Sequence, residues 1–339
     1  MDFLLEYAGF LARAVTVLVV IIIVLGVATS LRSRGNTKSG ELTVNSLNDF
    51  YSDLKENIEY SVLDKAQLKA LKKANKEKEK KEKKVPVDKK RIYVLDFDGD
   101  IRASAVENLR HEITALLSVA KPSDEVVLRL ESGGGMVHSY GLAASQLARI
   151  RDAGIPLTVC VDMVAASGGY MMACIGNKIL SAPFAALGSI GVVAQIPNIH
   201  RLLKKNDIDV EVLTAGDYKR TLTVMGENTE PARQKFLQEL QTTHDLFKAF
   251  VARFRPQLDI DTVATGEVWL GTDAQRLALV DVLQTSDEYL SKYAEEADIY
   301  SLKYVQKKSL QERVGLTAGA ALEHIADKGW ERLQKRFWS

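Results

Sequence analysis

Val126-Val-Leu-Arg-Leu-Glu-Ser-Gly-Gly-Gly135 decides the fold. The apolar run Val126–Leu130 reads as a buried strand, and the three glycines end it in a loop whose backbone can take positive φ and present N–H groups. Working outward, Tyr140–Ala153 reads as a helix bounded by Gly154-Ile-Pro156, and Leu157–Val161 as the next strand. Upstream, Ile92–Phe97 is a strand, Gly99-Asp100 a turn, and Ala105–Ala120 an amphipathic helix with Leu109, Ile113, Leu116 and Leu117 on one side. Downstream, Ile179–Ala182, Val192–Ile196 and Val210–Thr214 read as strands, Ile199–Lys205 as a short helix and Pro231–Phe254 as a long one. The apolar face of that long helix carries Phe236, Leu240, Leu246, Phe247 and Phe250. Such alternation means an α/β core, in which working residues collect at the carboxyl ends of strands. Gly133, Ser167 and Lys219 each follow an expected strand.

The chain has 339 residues and a formal net charge of +1, enough for one large or two modest domains. The charge is uneven: Lys65–Lys90 holds twelve lysines against four acids. The overall balance gives no case for a nucleic-acid partner. Cys160 and Cys174 both sit in apolar runs and read as reduced, buried hydrophobes. With no neighbouring Cys/His cluster they make no zinc site.

Ala14–Ala28 is apolar but for Thr16 and Gly26, and extending it to residues 7–30 adds only one charge, Arg13. That length suits one transmembrane anchor, crossing ~30 Å of hydrocarbon at ~1.5 Å per residue. A cleaved signal peptide would want a basic leading region, whereas Asp2 and Glu6 stand here. Arg32, Arg34 and Lys38 after the run favour a cytoplasmic body by the positive-inside rule. Residues 31–90 read as a charged, Lys-rich stalk that closes on Val85-Pro86-Val87. Its first part carries Leu47, Phe50, Leu54, Ile58 and Val62 at helical spacing, and its second part is a solvated helix or linker, with binding to anionic headgroups as the alternative.

Ser167 stands in Ala165-Ala-Ser-Gly-Gly-Tyr170, among neighbours small enough to leave its hydroxyl bare at a turn. The same pattern suits a plain helix N-cap. It is not Gly-x-Ser-x-Gly, so the α/β-hydrolase elbow does not apply. A serine nucleophile needs a base, and a neutral lysine can serve. Neutrality near pH 7 requires burial worth on the order of 4 kcal/mol against a lysine reference value of about 10.4. Lys219 in Gly216-Asp-Tyr-Lys219 is the candidate; a solvated surface lysine is the ordinary reading of such a residue. Ser132-Gly-Gly-Gly135 can hold a developing oxyanion. No Gly-Lys-Ser/Thr follows it, which excludes a P-loop. The five histidines have no acidic partner at a telling spacing. Asp96-Phe-Asp-Gly-Asp100 faintly suggests an aspartyl phosphatase, but Asp100 stands where a threonine belongs.

Ser132-Gly-Gly-Gly-Met-Val137, Ala165–Tyr170, Gly188-Ser-Ile-Gly191 and Gly216–Lys219 occur in the order and spacing of the signal peptide peptidase A-like serine peptidases. The chain resembles that family over roughly residues 91–290, and its anchor and lysine-rich segment resemble the short SohB branch. The resemblance implies a Clp/crotonase-like superhelix of ββα units over residues 91–300, preceded by the transmembrane helix and often assembled into homo-oligomeric rings. It implies Ser167 as nucleophile, Lys219 as general base and Ser189 as the residue that holds the lysine amine. Backbone N–H groups of Gly134 and Gly168 would form the oxyanion hole. Membrane-derived peptides such as signal-peptide remnants are the implied substrates, cut without metal or ATP. It also implies a domain outside a bacterial inner membrane, against the charge rule. One departure stands out: Gly133 occupies the place of the family's usual proline. Residues 301–339 then read as an amphipathic helical tail. A catalytically weak, ring-forming scaffold of the same fold is the main alternative, and a crotonase-type acyl-CoA enzyme the next.

Overall fold

The computed structural model describes residues 40–82 and 89–306, with only the backbone for 74–82. In chain order the elements are β1 (Gly40–Ser46), α1 (Leu47–Val62), α2 (Lys65–Glu82), β2 (Arg91–Gly99), α3 (Val106–Leu117), β3 (Glu125–Ser132), α4 (Val137–Asp152), β4 (Leu157–Val161), β5 (Val164–Ala166), α5 (Gly168–Ala173), β6 (Lys178–Ser181) and β7 (Ala186–Gly188). There follow α6 (His200–Lys205), α7 (Glu230–Phe254), α8 (Ile260–Val263), β8 (Val268–Leu270), α9 (Gly271–Arg276), β9 (Val282–Leu283), α10 (Ser286–Tyr293) and β10 (Asp298–Gln306).

β3 is the hub of a mixed ten-stranded sheet ordered β1-β10-β2-β3-β4-β6-β9. Its first half pairs in parallel with β4, Val126 opposite Leu157 through Arg129 opposite Cys160. Its last residue, Ser132, pairs instead with Ala165 of β5. From there a second ladder runs β5-β7-β8, parallel between β5 and β7 and antiparallel between β7 and β8. β4, β5 and α5 thus form a strand–strand–helix unit, and β6 and β7 lie in parallel register beside its two strands. Strands covered on both faces read as unbroken apolar runs, and β4 is buried at all five positions. α4 packs Tyr140, Ala143, Ala144, Leu147 and Ile150, one helical face, into the core. Cys160 and Cys174 are free and buried; burial pushes the Cys160 thiol up to about 12, so neither has thiolate character.

Four expectations change. Val192–Ile196 and Val210–Thr214 are irregular, because neither finds a ladder partner among the described residues; Val193 and Leu213 are almost fully exposed. The start of the expected stalk belongs to the domain: β1 pairs with β10, and Leu47 and Tyr51 pack on the core. Asn48 fastens α1 there, donating to the Ala294 and Ala297 carbonyls and accepting from the Ile299 N–H. Residues 301–306, assigned to the helical tail, complete β10; residues 307–339 lie outside the described residues. On α7 the buried positions are Phe247 and Val251, and Leu246 faces solvent. The expected anchor, residues 7–30, also lies outside the described residues, among which no helix is long and apolar enough to cross a membrane.

Candidate active site

The parallel register carries Ser167 to the junction of β5 and α5. Its N–H still follows the ladder, donating to the Gly188 carbonyl at 2.8 Å, while its own carbonyl already accepts from Met171, inside α5. One residue therefore changes chain direction within a single step, and its backbone takes φ 53° and ψ −117°. A non-glycine residue there is strained by about 1–3 kcal/mol, a cost that surrounding structure must impose. The serine sits at the N-cap of α5, yet its side chain makes no capping hydrogen bond. The half-buried hydroxyl is left over for other work, and the N-cap reading of this residue fails on that point.

The glycine loop closes over this junction. Gly134 has φ 87°, and a methyl group on it would lie 2.7 Å from both the Ala166 carbonyl oxygen and the Gly168 nitrogen, and 2.8 Å from Cβ of Ser167. Gly134, Ser167 and Gly168 are therefore in contact, as expected. The two expected oxyanion donors differ in state. The Gly168 N–H, first in α5, has no acceptor among the described residues, whereas the Gly134 N–H donates to Ser132 Oγ at 3.1 Å. Ser189 lies one step beyond the last β5–β7 pair, Ala166 opposite Gly188, so it neighbours Ser167 across the ladder. It too has positive φ, 51°, directly after Gly188 at 95°. Gly188 cannot carry a side chain, since a methyl would strike the Trp269 ring at 2.6 Å.

Lys219 is placed differently. It lies exposed in the turn closed by its own N–H on the Gly216 carbonyl, within the irregular stretch between α6 and α7. Among the described residues no hydrogen bond joins it to Ser167 or Ser189. Among the described residues no apolar enclosure surrounds its amine, and the strand expected at 210–214 does not form.

A narrow cavity opens against Ser167, walled by Val137, Met171, Val192, Thr243 and Phe247. Thr243 and Phe247 come from α7, a helix that reads in sequence only as an amphipathic packing element; nothing in its spacing marks it as a cavity wall. A larger cleft, lined by Asp96, Asp98, Arg129, Glu131, Asp162 and Asp287, contains neither Ser167 nor Lys219. Arg129 grips both oxygens of Asp96 at 2.6 and 3.0 Å, so this aspartate is an ion-pair partner and the phosphatase reading has no free nucleophile. Among the described residues no cluster of His, Cys, Asp or Glu is arranged to hold a metal ion.

The profile described as peptidase family S49 N-terminal matches residues 2–147, and the profile for peptidase family S49 matches residues 149–300. The chain is 52% identical to "Probable protease SohB" of Haemophilus influenzae over 329 residues, 94% of this chain and 93% of that one. It is 48% identical to the protein of the same description from Buchnera aphidicola, over 86% of this chain and 99% of that one. A more distant likeness, 32% over 53% of this chain and 30% of the other, is to "Protease 4" of Salmonella typhi.

Proposed function

The chain belongs to peptidase family S49, and on that footing we propose that it is a membrane-anchored serine endopeptidase working through a Ser167–Lys219 dyad. The observation that carries this reading is the Ser167 hydroxyl itself: strained backbone, no capping bond, an apolar cavity on one side and a crowded glycine loop on the other. A peptide binds extended, with a small or apolar side chain in the cavity of Val137, Met171, Val192 and Phe247. The Lys219 amine takes the hydroxyl proton as Oγ adds to the scissile carbonyl, and Ser189 holds that amine. The oxyanion draws the Gly168 N–H and pulls the Gly134 N–H from its neutral partner Ser132, since hydrogen bonds to an anion are the stronger. Collapse, with the Lys219 ammonium giving that proton to the leaving nitrogen, releases the amine product and leaves an acyl-enzyme, which water hydrolyses as the neutral amine takes a proton from it.

Lys219 reaches the serine on assembly. Residues 192–225 leave Val193, Leu202, Leu213 and Met225 uncovered, which suits burial against a second copy of the chain. Residues 7–30 anchor the protein in a bacterial inner membrane, with the domain on the periplasmic side and membrane-derived peptides as substrates. Purified full-length protein, mass-spectrometric product analysis and the variants Ser167→Ala and Lys219→Ala test this. Both variants are expected to lose about 10⁴-fold or more in peptide cleavage. Persistent cleavage by Ser167→Ala sinks the serine mechanism, no cleavage by the wild type leaves the scaffold reading in its place, and persistence in Lys219→Ala alone sinks the dyad.

A further inference from the structure

Tyr140 is among the most deeply buried large side chains, and no step above uses it. It begins the core-facing stripe of α4, where a phenylalanine would fill the same space. Its hydroxyl, however, is engaged twice. It donates to the Asp100 carbonyl at 2.7 Å and lies 2.5 Å from Ser132 Oγ. The tyrosine proton goes to the Asp100 carbonyl, and the single Ser132 proton has two acceptors in reach, the Tyr140 oxygen and the Gly99 carbonyl at 3.3 Å. Ser132 Oγ is in turn the acceptor of the Gly134 N–H. Asp100 is itself fixed, its carboxylate taking the N–H groups of Arg102 and Ser104 at 3.1 and 2.8 Å.

The ring end of the same residue touches the other side of the site. A methyl on Gly168 would lie 2.4 Å from Cγ of Tyr140, so the α5 backbone rests on this ring at the closest approach a glycine permits. Gly99 shows the same crowding at the hydroxyl end, where a methyl would meet Ser132 Oγ at 2.5 Å and the Tyr140 oxygen at 2.6 Å. One rigid side chain thus contacts Gly168 directly and Gly134 through a single hydroxyl.

We propose that Tyr140 is a positioning residue, which with Ser132 sets the separation and direction of the Gly134 and Gly168 amides on either side of Ser167. This rests on the serine-peptidase reading of that site. The ring props the Gly168 amide, the hydroxyl pair aims the Gly134 amide, and the Asp100 turn fixes the pair to the end of β2. Ser132 has a second part. As acceptor it keeps the Gly134 N–H satisfied between turnovers, and it yields that N–H when a full negative charge competes for it.

Two variants in the full-length protein test the assignment. Tyr140→Phe keeps the prop and cuts the hydroxyl pair; Ser132→Ala removes the link to Gly134 and leaves Tyr140 in place. Each is expected to lower kcat about 10- to 100-fold with KM within about twofold, the range for misplacing or losing one oxyanion donor. The double variant is expected to be no slower than the worse single one, because both act through one bond. Amide hydrogen exchange at Gly134 should accelerate at least about tenfold in both variants, with Met171, inside α5, unchanged. Equal losses in kcat/KM carried by KM, multiplicative losses in the double variant, or unchanged Gly134 exchange would each overturn the proposal. The exchange arm needs no turnover. If Ser167→Ala cleaves as well as wild type, the peptidase reading fails by that control while Gly134 exchange still decides whether Tyr140 holds the loop. Should Tyr140→Phe fold poorly, Ser132→Ala carries both measurements.

Discussion

Ser167 and Lys219 come from two regions built in opposite ways. The serine stands where β3, β5, β7 and α5 meet, and ladders, a helix and close glycine contacts hold the backbone around it. The lysine stands on a stretch that forms no strand, exposes its apolar residues and touches the sheet through none of the hydrogen bonds among the described residues. The first region can hold a strained residue because the surroundings over-determine it. The second leaves Lys219 exposed, with no comparable surroundings among the described residues. On the function proposed above, a single copy of the chain holds Ser167 and the two glycine amides in place, and assembly is what would bring Lys219 to them.

The strongest way to break that contrast is to loosen the rigid side. Arg255, 2% exposed, joins the end of α7 to Asp281 through two bonds of 2.9 and 2.8 Å and to the Ala278 carbonyl at 2.8 Å. Asp281 also accepts from the Ile179 N–H of β6, so the pair ties the cavity-wall helix to the sheet. Arg255→Ala removes a buried guanidinium and its bonds to Ala278 and to Asp281, which is itself exposed, and should cost about 1.5–3 kcal/mol in chemical denaturation. Lys204→Ala, which cuts the exposed pair with Asp209 on the irregular side, should leave the melting temperature unchanged. Equal effects of the two would mean that the regions do not differ in how they are held.

Gly134→Ala comes next. Its methyl group has no room against Ala166, Ser167 and Gly168, and alanine is strained at φ 87°. Expected are a soluble, folded protein and a loss of about 10²-fold or more in kcat, read in peptide turnover. Retained activity would show that the loop has slack and that the crowded contact at Ser167 does not matter.

Much of this was legible beforehand, and the boundary has a physical meaning. β2, β3, β4, α3 and α4 follow from apolar periodicity and from glycine and proline stops, because those elements are covered on the faces their patterns predict. Ser167, Gly134 and Gly168 come together because motifs that end neighbouring parallel strands must. Val192–Ile196 and Val210–Thr214 carry strand-like composition but no ladder, since composition reports a wish for burial and not the partner that provides it. Tyr140 and Phe247 were invisible as site residues, for a core position and a cavity-wall position share one apolar signature. Asn48 was equally silent: a polar residue in an apparent stalk gives no sign that it will clamp α1 to β10.

A smaller effect concerns that C-terminal strand. Glu112 of α3 is buried and accepts the Tyr304 N–H of β10 at 2.8 Å. Burial pushes its carboxyl up to about 6, the Tyr304 bond pulls it partly back, and Asp96 adds to the rise while Lys303 opposes it. A raised acid favours the fold while protonated, so this contribution is full below the unfolded value near 4.5 and is lost as pH rises through about 6. Glu112→Gln keeps an acceptor for Tyr304 and should flatten the stability profile between pH 4.5 and 7. The expected gain at pH 7 is about 1 kcal/mol once solvent screening is allowed for. An unaltered profile would assign that pH dependence to other groups.

The smallest expected effect bears most directly on the glycine loop. Gly134 and Gly135 are both hemmed in by backbone, Gly135 by Ile101, but Gly133 has nothing within 4 Å of where a Cβ would stand, and its φ is outside the left-handed region. The position has room for a Cβ, and Gly133→Pro is expected to stabilise the protein by about 0.4–1 kcal/mol by stiffening the unfolded chain. Turnover separates two accounts of the loop. If Tyr140 and Ser132 already aim the Gly134 N–H, proline adds nothing and kcat stays within about twofold of wild type, well short of the 10²-fold scale of a lost oxyanion donor. If the loop drifts without proline, kcat rises severalfold at constant KM, and the rigid region has been less rigid than its contacts suggest. A loss of stability instead would mean that Gly133 needs its own N–H, and the departure from proline would then be a requirement of this fold.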